Sequence, residues 1–245
     1  MTIKKTIALL AAASTSLALV ACSDSSSSDD SAASDGGASS GGDNYILVNG
    51  TEPQNPLVPA NTNETGGGKI VDSIFSGLVG YDAEGETYNE VAESIEPNDD
   101  NTEFTITLKD WKFTDGTDVT ANSFVDAWNY AVANAQLGAY FFEPIKGYAE
   151  EGVEELEGLE VIDDKTFKVT MNNPTADFPQ RLGYSAFSPL PEVAFEDMDA
   201  FGENPVGNGP YMLEEWNHNS NALLVPNPDY TGDNAAQNDG LDIIF

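Results

Sequence analysis

Apolar residues recur at two spacings along this chain, and the change from one to the other marks its elements. Tyr45-Ile-Leu-Val48 is a short β-rich run. Asn49-Gly50 with Pro53, Pro56 and Pro59 then forces an irregular extended path. Residues 61–68 carry no large side chain, so taken alone they are either a mobile loop without contacts or part of a site. Ile70, Val71, Ile74, Phe75 and Leu78 fall at helical spacing and stop at Gly80, which predicts an amphipathic helix with a glycine end. Residues 81–85 read as a turn, and Phe104-Thr-Ile-Thr-Leu108 alternates as a half-buried strand should. After a turn at Asp115-Gly116, Thr120 is placed to cap a helix whose apolar face carries Phe124, Val125, Trp128, Ala131 and Val132. Residues 159–162, Asp163-Asp164 and 166–171 form a β-hairpin pattern.

The stretch 204–230 holds a second hairpin. Gly207 and Gly209 can adopt positive φ and Pro210 fixes its own, so they predict a constrained turn that launches a strand at Tyr211. The polar residues 217–221 break that strand, residues 222–225 resume it, and a proline-punctuated turn follows at 226–228. The chain stops at Leu241-Asp-Ile-Ile-Phe245, inside what reads as a strand.

The N-terminal pattern is different. Lys4 and Lys5 precede an apolar run over residues 7–20, which predicts a secretory signal, too short to favour a permanent transmembrane helix. Cys22 is the only cysteine, so no intramolecular disulfide is available. Residues 23–42 are almost wholly Ser, Asp, Ala and Gly and cannot bury enough surface to offset their ordering entropy. They read as a tether, whose r.m.s. span as a random coil is roughly 25 Å.

Charge and inventory narrow the function. A formal charge of −33, from nine Lys plus Arg against 42 Asp plus Glu, argues against nucleic acid and anionic headgroups as partners. His218 is the only histidine, so a Ser-His-Asp or Cys-His centre could be built only around that imidazole, which lies in a polar hairpin tip where a solvated surface histidine is expected. With one cysteine and one histidine, no structural zinc site, other metal centre or cofactor is expected. Arg181, the only arginine, could clamp a carboxylate bidentately. The dense aromatic cluster Ala139-Tyr-Phe-Phe142 fits either a core or a binding surface.

Three blocks carry a resemblance. Glu52-Pro-Gln-Asn-Pro56 followed by Ile74-Phe-Ser-Gly-Leu78, then residues 108–124 around Trp111 and Asp115-Gly116, then Gly-Asn-Gly-Pro-Tyr-Met-Leu at 207–213 with Trp216 and Asn227-Pro-Asp-Tyr230, resemble the signatures of the extracellular solute-binding proteins of peptide-class ABC importers. The resemblance implies an α/β, periplasmic-binding-protein-like fold of the type II, three-domain class. It is expected to be truncated to part of the first lobe plus the inserted second domain. The implied division is a lipoprotein signal peptide at 1–21, a flexible tether at 22–43, the incomplete first lobe at 44–80 and 186–245, and the inserted domain at 81–185, expected to fold as a unit of its own. Leu19-Val20-Ala21-Cys22 matches the lipobox expected in such a family, which makes Cys22 the lipidated first residue of the mature protein. By position Asn63, Glu64 and Thr65 fall where the family's main chain meets bound peptide, and Tyr140 falls where some members place a tyrosine at the edge of the site. Arg181 lies in the segment matching the outer domain, which favours a surface role. The implied function is capture of extracellular oligopeptides for import, with affinity depending little on sequence because main-chain hydrogen bonds hold the ligand as an added strand. The implied partners are peptide, the membrane permease and ATPase subunits, and the outer face of the cytoplasmic membrane through the lipid. Lacking the third domain, a chain ending at Phe245 is expected to bind peptide poorly. A nickel-, dipeptide- or haem-binding role within the same class, or an adhesive surface lipoprotein, is left open; an exported hydrolase is disfavoured.

Overall fold

A computed structural model describes residues 44–150 and 152–245. In chain order these form strand β1 (Tyr45–Asn49), helix α1 (Thr65–Ile74), the hairpin β2 (Val79–Tyr81) and β3 (Thr87–Asn89), strands β4 (Ala92–Pro97) and β5 (Glu103–Leu108), and helix α2 (Ala121–Ala133). They continue with strands β6 (Leu159–Asp163) and β7 (Thr166–Thr170), the short helices α3 (Phe178–Arg181) and α4 (Met198–Glu203), and strands β8 (Tyr211–Asn217), β9 (Asn221–Pro226) and β10 (Gly240–Ile244).

Two four-stranded sheets organise these elements. One has the order β1-β10-β9-β8 and joins the two ends of the described chain, because β10 pairs in parallel with β1, Tyr45 opposite Gly240, and antiparallel with β9. The other, β4-β5-β7-β6, is antiparallel throughout. Alternation decides which face is buried. Phe104, Ile106 and Leu108 of β5 and Phe167 and Val169 of β7 point into the core, while Thr105, Thr107 and Lys168 between them point away. Helix α2 covers that face, and all five apolar positions expected of it are buried. Its start is also as expected: the Thr120 N–H donates to Ser123 Oγ at 3.1 Å, one half of a capping box.

The first helix departs from the sequence expectation at both ends. It begins at Thr65, inside the run expected to be a loop, because the Glu64 carboxylate accepts from Gly67 N with both oxygens at 3.0 Å and from Gln54 N at 3.2 Å. A carboxylate there satisfies orphan donors and faces the positive end of the helix dipole. Gly66 and Gly67 suit the helix because a side chain at either would collide with Thr51 O or the Glu64 carboxylate. Gly68 has nothing near its missing Cβ. Gly68→Ala is therefore expected to stabilise the fold by about 0.5–1 kcal/mol. Gly67→Ala, whose Cβ would sit 2.5 Å from Glu64 Oε1, should disrupt the cap and destabilise it. Urea midpoints of the two variants check the opposite signs.

The helix ends at Ile74, not Gly80, and the cause is tertiary. The Ile74 carbonyl accepts from Asn208 N at 3.0 Å and Gly209 N at 2.9 Å, and Phe75 turns to extended backbone. Gly207 and Gly209 are thus glycines for a reason other than the one expected. Neither has positive φ; each lies so close to Ile74 that a Cβ would meet its main chain. The hairpin they introduce is as expected, with Met212 opposite Val225 and Trp216 opposite Ala222.

A candidate ligand cleft

Between the loop before α1, one face of α1, the β2–β3 hairpin and the turn after α3 lies a cleft of about 680 Å³. Thr65, Gly68, Lys69 and Asp72 line it at helical spacing along the polar face of α1, and Ser76 lines it just past the helix end. Tyr81, Tyr88, Tyr184 and Tyr230 supply aromatic lining. Tyr81 is held by a 2.7 Å hydrogen bond from its hydroxyl to Gln180 O.

The floor is built around Asn208, which is fully buried. Its side chain accepts from Ser76 N and donates to Ser76 O, both at 2.9 Å, and its carbonyl accepts from Trp111 Nε1 at 2.9 Å. The Trp111 ring meets Tyr230 edge-on at 5.4 Å. Tyr230 donates to Glu90 Oε1 at 2.7 Å and Ser76 Oγ donates to the same oxygen at 2.9 Å. Burial, with the Glu90 carboxylate beside it, pushes the Tyr230 phenol far above its ordinary range, so Tyr230 stays a neutral donor. The Gly-Asn-Gly block thus welds the end of α1 to β8 and levels the floor of the cleft.

Asn63, Glu64 and Thr65 all line the cleft. Asn63 and Thr65 are exposed, and Glu64 has extended backbone. Among the described residues neither the N–H nor the C=O of Asn63 has a main-chain partner. Tyr140 does not line the cleft: it is 56% exposed and stacks on Phe141 at 4.4 Å, which stacks on Tyr184 at 4.2 Å. It therefore ends a three-ring column whose far end enters the cleft wall. Sequence reasoning missed Asp72, Glu90, Tyr184 and Tyr230. Only Asp72 had a readable signal, its spacing from Thr65 and Lys69.

Cys22 lies outside the described residues. Arg181 pairs with Asp177, four residues earlier, at 2.7 Å. Among the described residues no three metal-ligating side chains are placed to hold an ion, and no helix is long and apolar enough to cross a membrane.

His218 is half-exposed as expected, yet not free. Its Nδ1 lies 2.8 Å from Glu52 Oε1 and its Nε2 3.1 Å from Glu203 Oε2, so the β8–β9 tip is tied to the loop after β1 and to α4. Two acceptors on one ring favour the doubly protonated form, and the bond to Glu52, then that to Glu203, raises its pKa above the usual 6.5. A raised folded value means that this clasp stabilises the fold fully below the unfolded pKa and is lost as pH rises through the folded one. The difference in urea midpoint between wild type and His218→Gln should therefore be larger at pH 5.5 than at pH 9; equal differences would refute the clasp.

The two-sheet α/β architecture with a cleft beside the first helix is that of a periplasmic solute-binding protein. Residues 86–245 match the model of the bacterial extracellular solute-binding proteins, family 5, and the chain belongs to that family. It is 32% identical over 191 residues to the oligopeptide-binding protein OppA of Bacillus subtilis, covering 74% of this chain and 35% of that protein. It is 34% identical over 197 residues to the periplasmic oligopeptide-binding protein OppA of Escherichia coli, with the same two shares. Among solved structures, Haemophilus influenzae OppA in complex with the peptide RPPGFSPFR superposes with a TM-score of 0.75 at 29% identity, over 82% of this chain and 42% of that one. The chain thus spans about a third of the length of the curated relatives it matches.

Proposed function

We propose that these residues form one wall of the peptide site of an ABC importer's substrate-binding component, which captures extracellular oligopeptides and delivers them to a membrane permease and its ATPase. The observation that carries this reading is the segment at Asn63 and Glu64, which lines the 680 Å³ cleft, is extended at Glu64, and leaves the Asn63 N–H and C=O without a main-chain partner among the described residues. Free strand-like main chain is what an added peptide strand needs. The cleft is large enough for several residues of such a strand. Tyr140, through Phe141, would brace the ring of Tyr184 against the ligand. The division into 44–80 with 186–245 and an inserted 81–185 belongs to the same reading; β4 to β7 all fall inside the insert and β1 and β8 to β10 outside it.

Calorimetry of the gene's full-length product against a mixed tri- to pentapeptide pool tests the reading. Saturable micromolar binding is expected, weakened about tenfold or more by N-methylation of the peptide main chain. Absence of binding, or indifference to N-methylation, would overturn it.

The reading includes anchoring by a diacyl group on Cys22 at the outer face of the cytoplasmic membrane, since two acyl chains give stable attachment where one does not. Cys22→Ser is expected to move the protein from the membrane fraction to the medium. Unchanged fractionation would refute the anchor.

A further inference from the structure

The charges along the cleft are unevenly committed. Glu64 caps α1 through Gly67 N and Gln54 N. Glu90 accepts from Ser76 and Tyr230. Lys69, the only cationic side chain lining the cleft among the described residues, donates to the carbonyl of Asn49. Asp72 differs from all three: it stands one turn beyond Lys69 on the same face of α1, is exposed to the cleft, and has no hydrogen-bond or ion-pair partner among the described residues. Tyrosine rings line the same cleft.

We propose that Asp72 is a specificity residue of the peptide site, taking a cationic group of the ligand while tyrosine rings flank its aliphatic stem. This inference rests on the peptide reading above and deepens it.

A free carboxylate recessed among protein atoms has already lost part of its hydration; crowding by the cleft walls raises the Asp72 pKa above its ordinary value. A ligand cation would restore the lost stabilisation, and would do so in a setting less screened than open solvent. The rings add attraction of the same sign, since their faces favour ammonium and guanidinium groups. Of the cleft's other charges, Glu64 and Glu90 are occupied by internal donors and have the sign that favours a cation, while Lys69, of the opposite sign, is committed to the Asn49 carbonyl. Thr65 and Asp72 are seven residues apart, about 10 Å along the helix. A ligand strand held beside Asn63 therefore carries its third or fourth residue, at about 3.3 Å each, to the level of Asp72. The preference is local, one subsite within a site otherwise indifferent to sequence.

Two ligand groups share this chemistry, a basic side chain and the terminal α-amine. Pentapeptides of alanine carrying lysine, or its uncharged isostere norleucine, at each position in turn, with free and acetylated N-termini, distinguish them by calorimetry on the full-length product. In wild type one lysine position, or the free α-amine, is expected to bind about tenfold tighter than its uncharged counterpart. That ratio should fall to about one in Asp72→Asn and be retained in part in Asp72→Glu, which also shows that loss in the first variant is not misfolding. If every peptide binds wild type but no charged group is preferred, or if the preference survives in Asp72→Asn, this inference is overturned and the peptide reading stands. If no peptide binds at all, the peptide reading fails and the inference falls with it.

Discussion

Gly207→Ala is expected to destabilise the protein by about 3–5 kcal/mol and to lower peptide affinity with it, although it adds a single methyl group. The position is not one of unusual φ, so the familiar argument for glycine does not apply. A Cβ there would instead be driven into the carbonyl of Ile74. That carbonyl already accepts from Asn208 N and Gly209 N, so any displacement that relieves the clash lengthens both bonds. Asn208 moves with its neighbour, and its two bonds to Ser76 and the one it accepts from Trp111 Nε1 are buried. Each buried polar group left without a partner costs about 1–3 kcal/mol. Two or three such losses reach the stated range. The urea midpoint should fall with an unchanged slope, since the extent of unfolding is the same. Gly68→Ala is the matched control, being the same substitution in a place where nothing lies near the added atom. If Gly207→Ala keeps the wild-type midpoint, the welding role of the Gly-Asn-Gly block is wrong.

The contrast between those two glycines shows what the sequence makes legible. Elements whose cause is local were readable: the alternation of β5 and β7, the β8–β9 hairpin, and the apolar face and capping pair of α2 all follow from residues close to one another in the chain. Helix α1 was misplaced because both its ends are set by contacts that spacing does not record. Its start depends on a glutamate folding back on Gly67 N within a run of three glycines, where propensity alone argues for a loop. Its end depends on a loop more than 130 positions later. Strand β4 was invisible for a related reason. Ala92-Glu-Ser-Ile-Glu-Pro97 has no clean alternation; it is an edge strand that exists because β5 pairs with it, with a register shift between Ala92 and Ser94. Asn63, Glu64 and Thr65, placed by resemblance alone, line the cleft. Tyr184 looks like any other tyrosine, and Tyr230, although it closes the third resembling block, shows its place only when the fold brings both to the cleft. His218 was read as free because Glu52 and Glu203 are distant in sequence from it.

Trp128→Ala is the second large effect expected, and it should reach the cleft from the opposite side of the core. Trp128 is fully buried among Phe124, Phe142, Phe167 and Phe187, the last at 5.4 Å and edge-on. Truncating it removes a large apolar surface and leaves a cavity walled by rigid rings that cannot collapse to fill it, for which about 3–5 kcal/mol is usual. Its indole N–H also donates to Phe187 O at 3.1 Å, and that carbonyl would be left buried. In a chain of this size the loss corresponds to a melting point lower by about 10 °C. Trp128→Phe separates the two contributions, since it keeps a ring in the pocket and removes the N–H; it should cost less than half as much. The functional consequence follows from what Phe187 holds. Its own N–H bonds to Tyr184 O at 2.9 Å, and Tyr184 is the ring that carries the Tyr140–Phe141 column into the cleft wall. Releasing the Phe187 carbonyl should loosen that wall even in the milder variant. Trp128→Phe is thus expected to weaken peptide binding at a temperature where it is still fully folded. Full affinity in a folded Trp128→Phe protein would show instead that the Tyr184 wall is seated independently of the core beneath it.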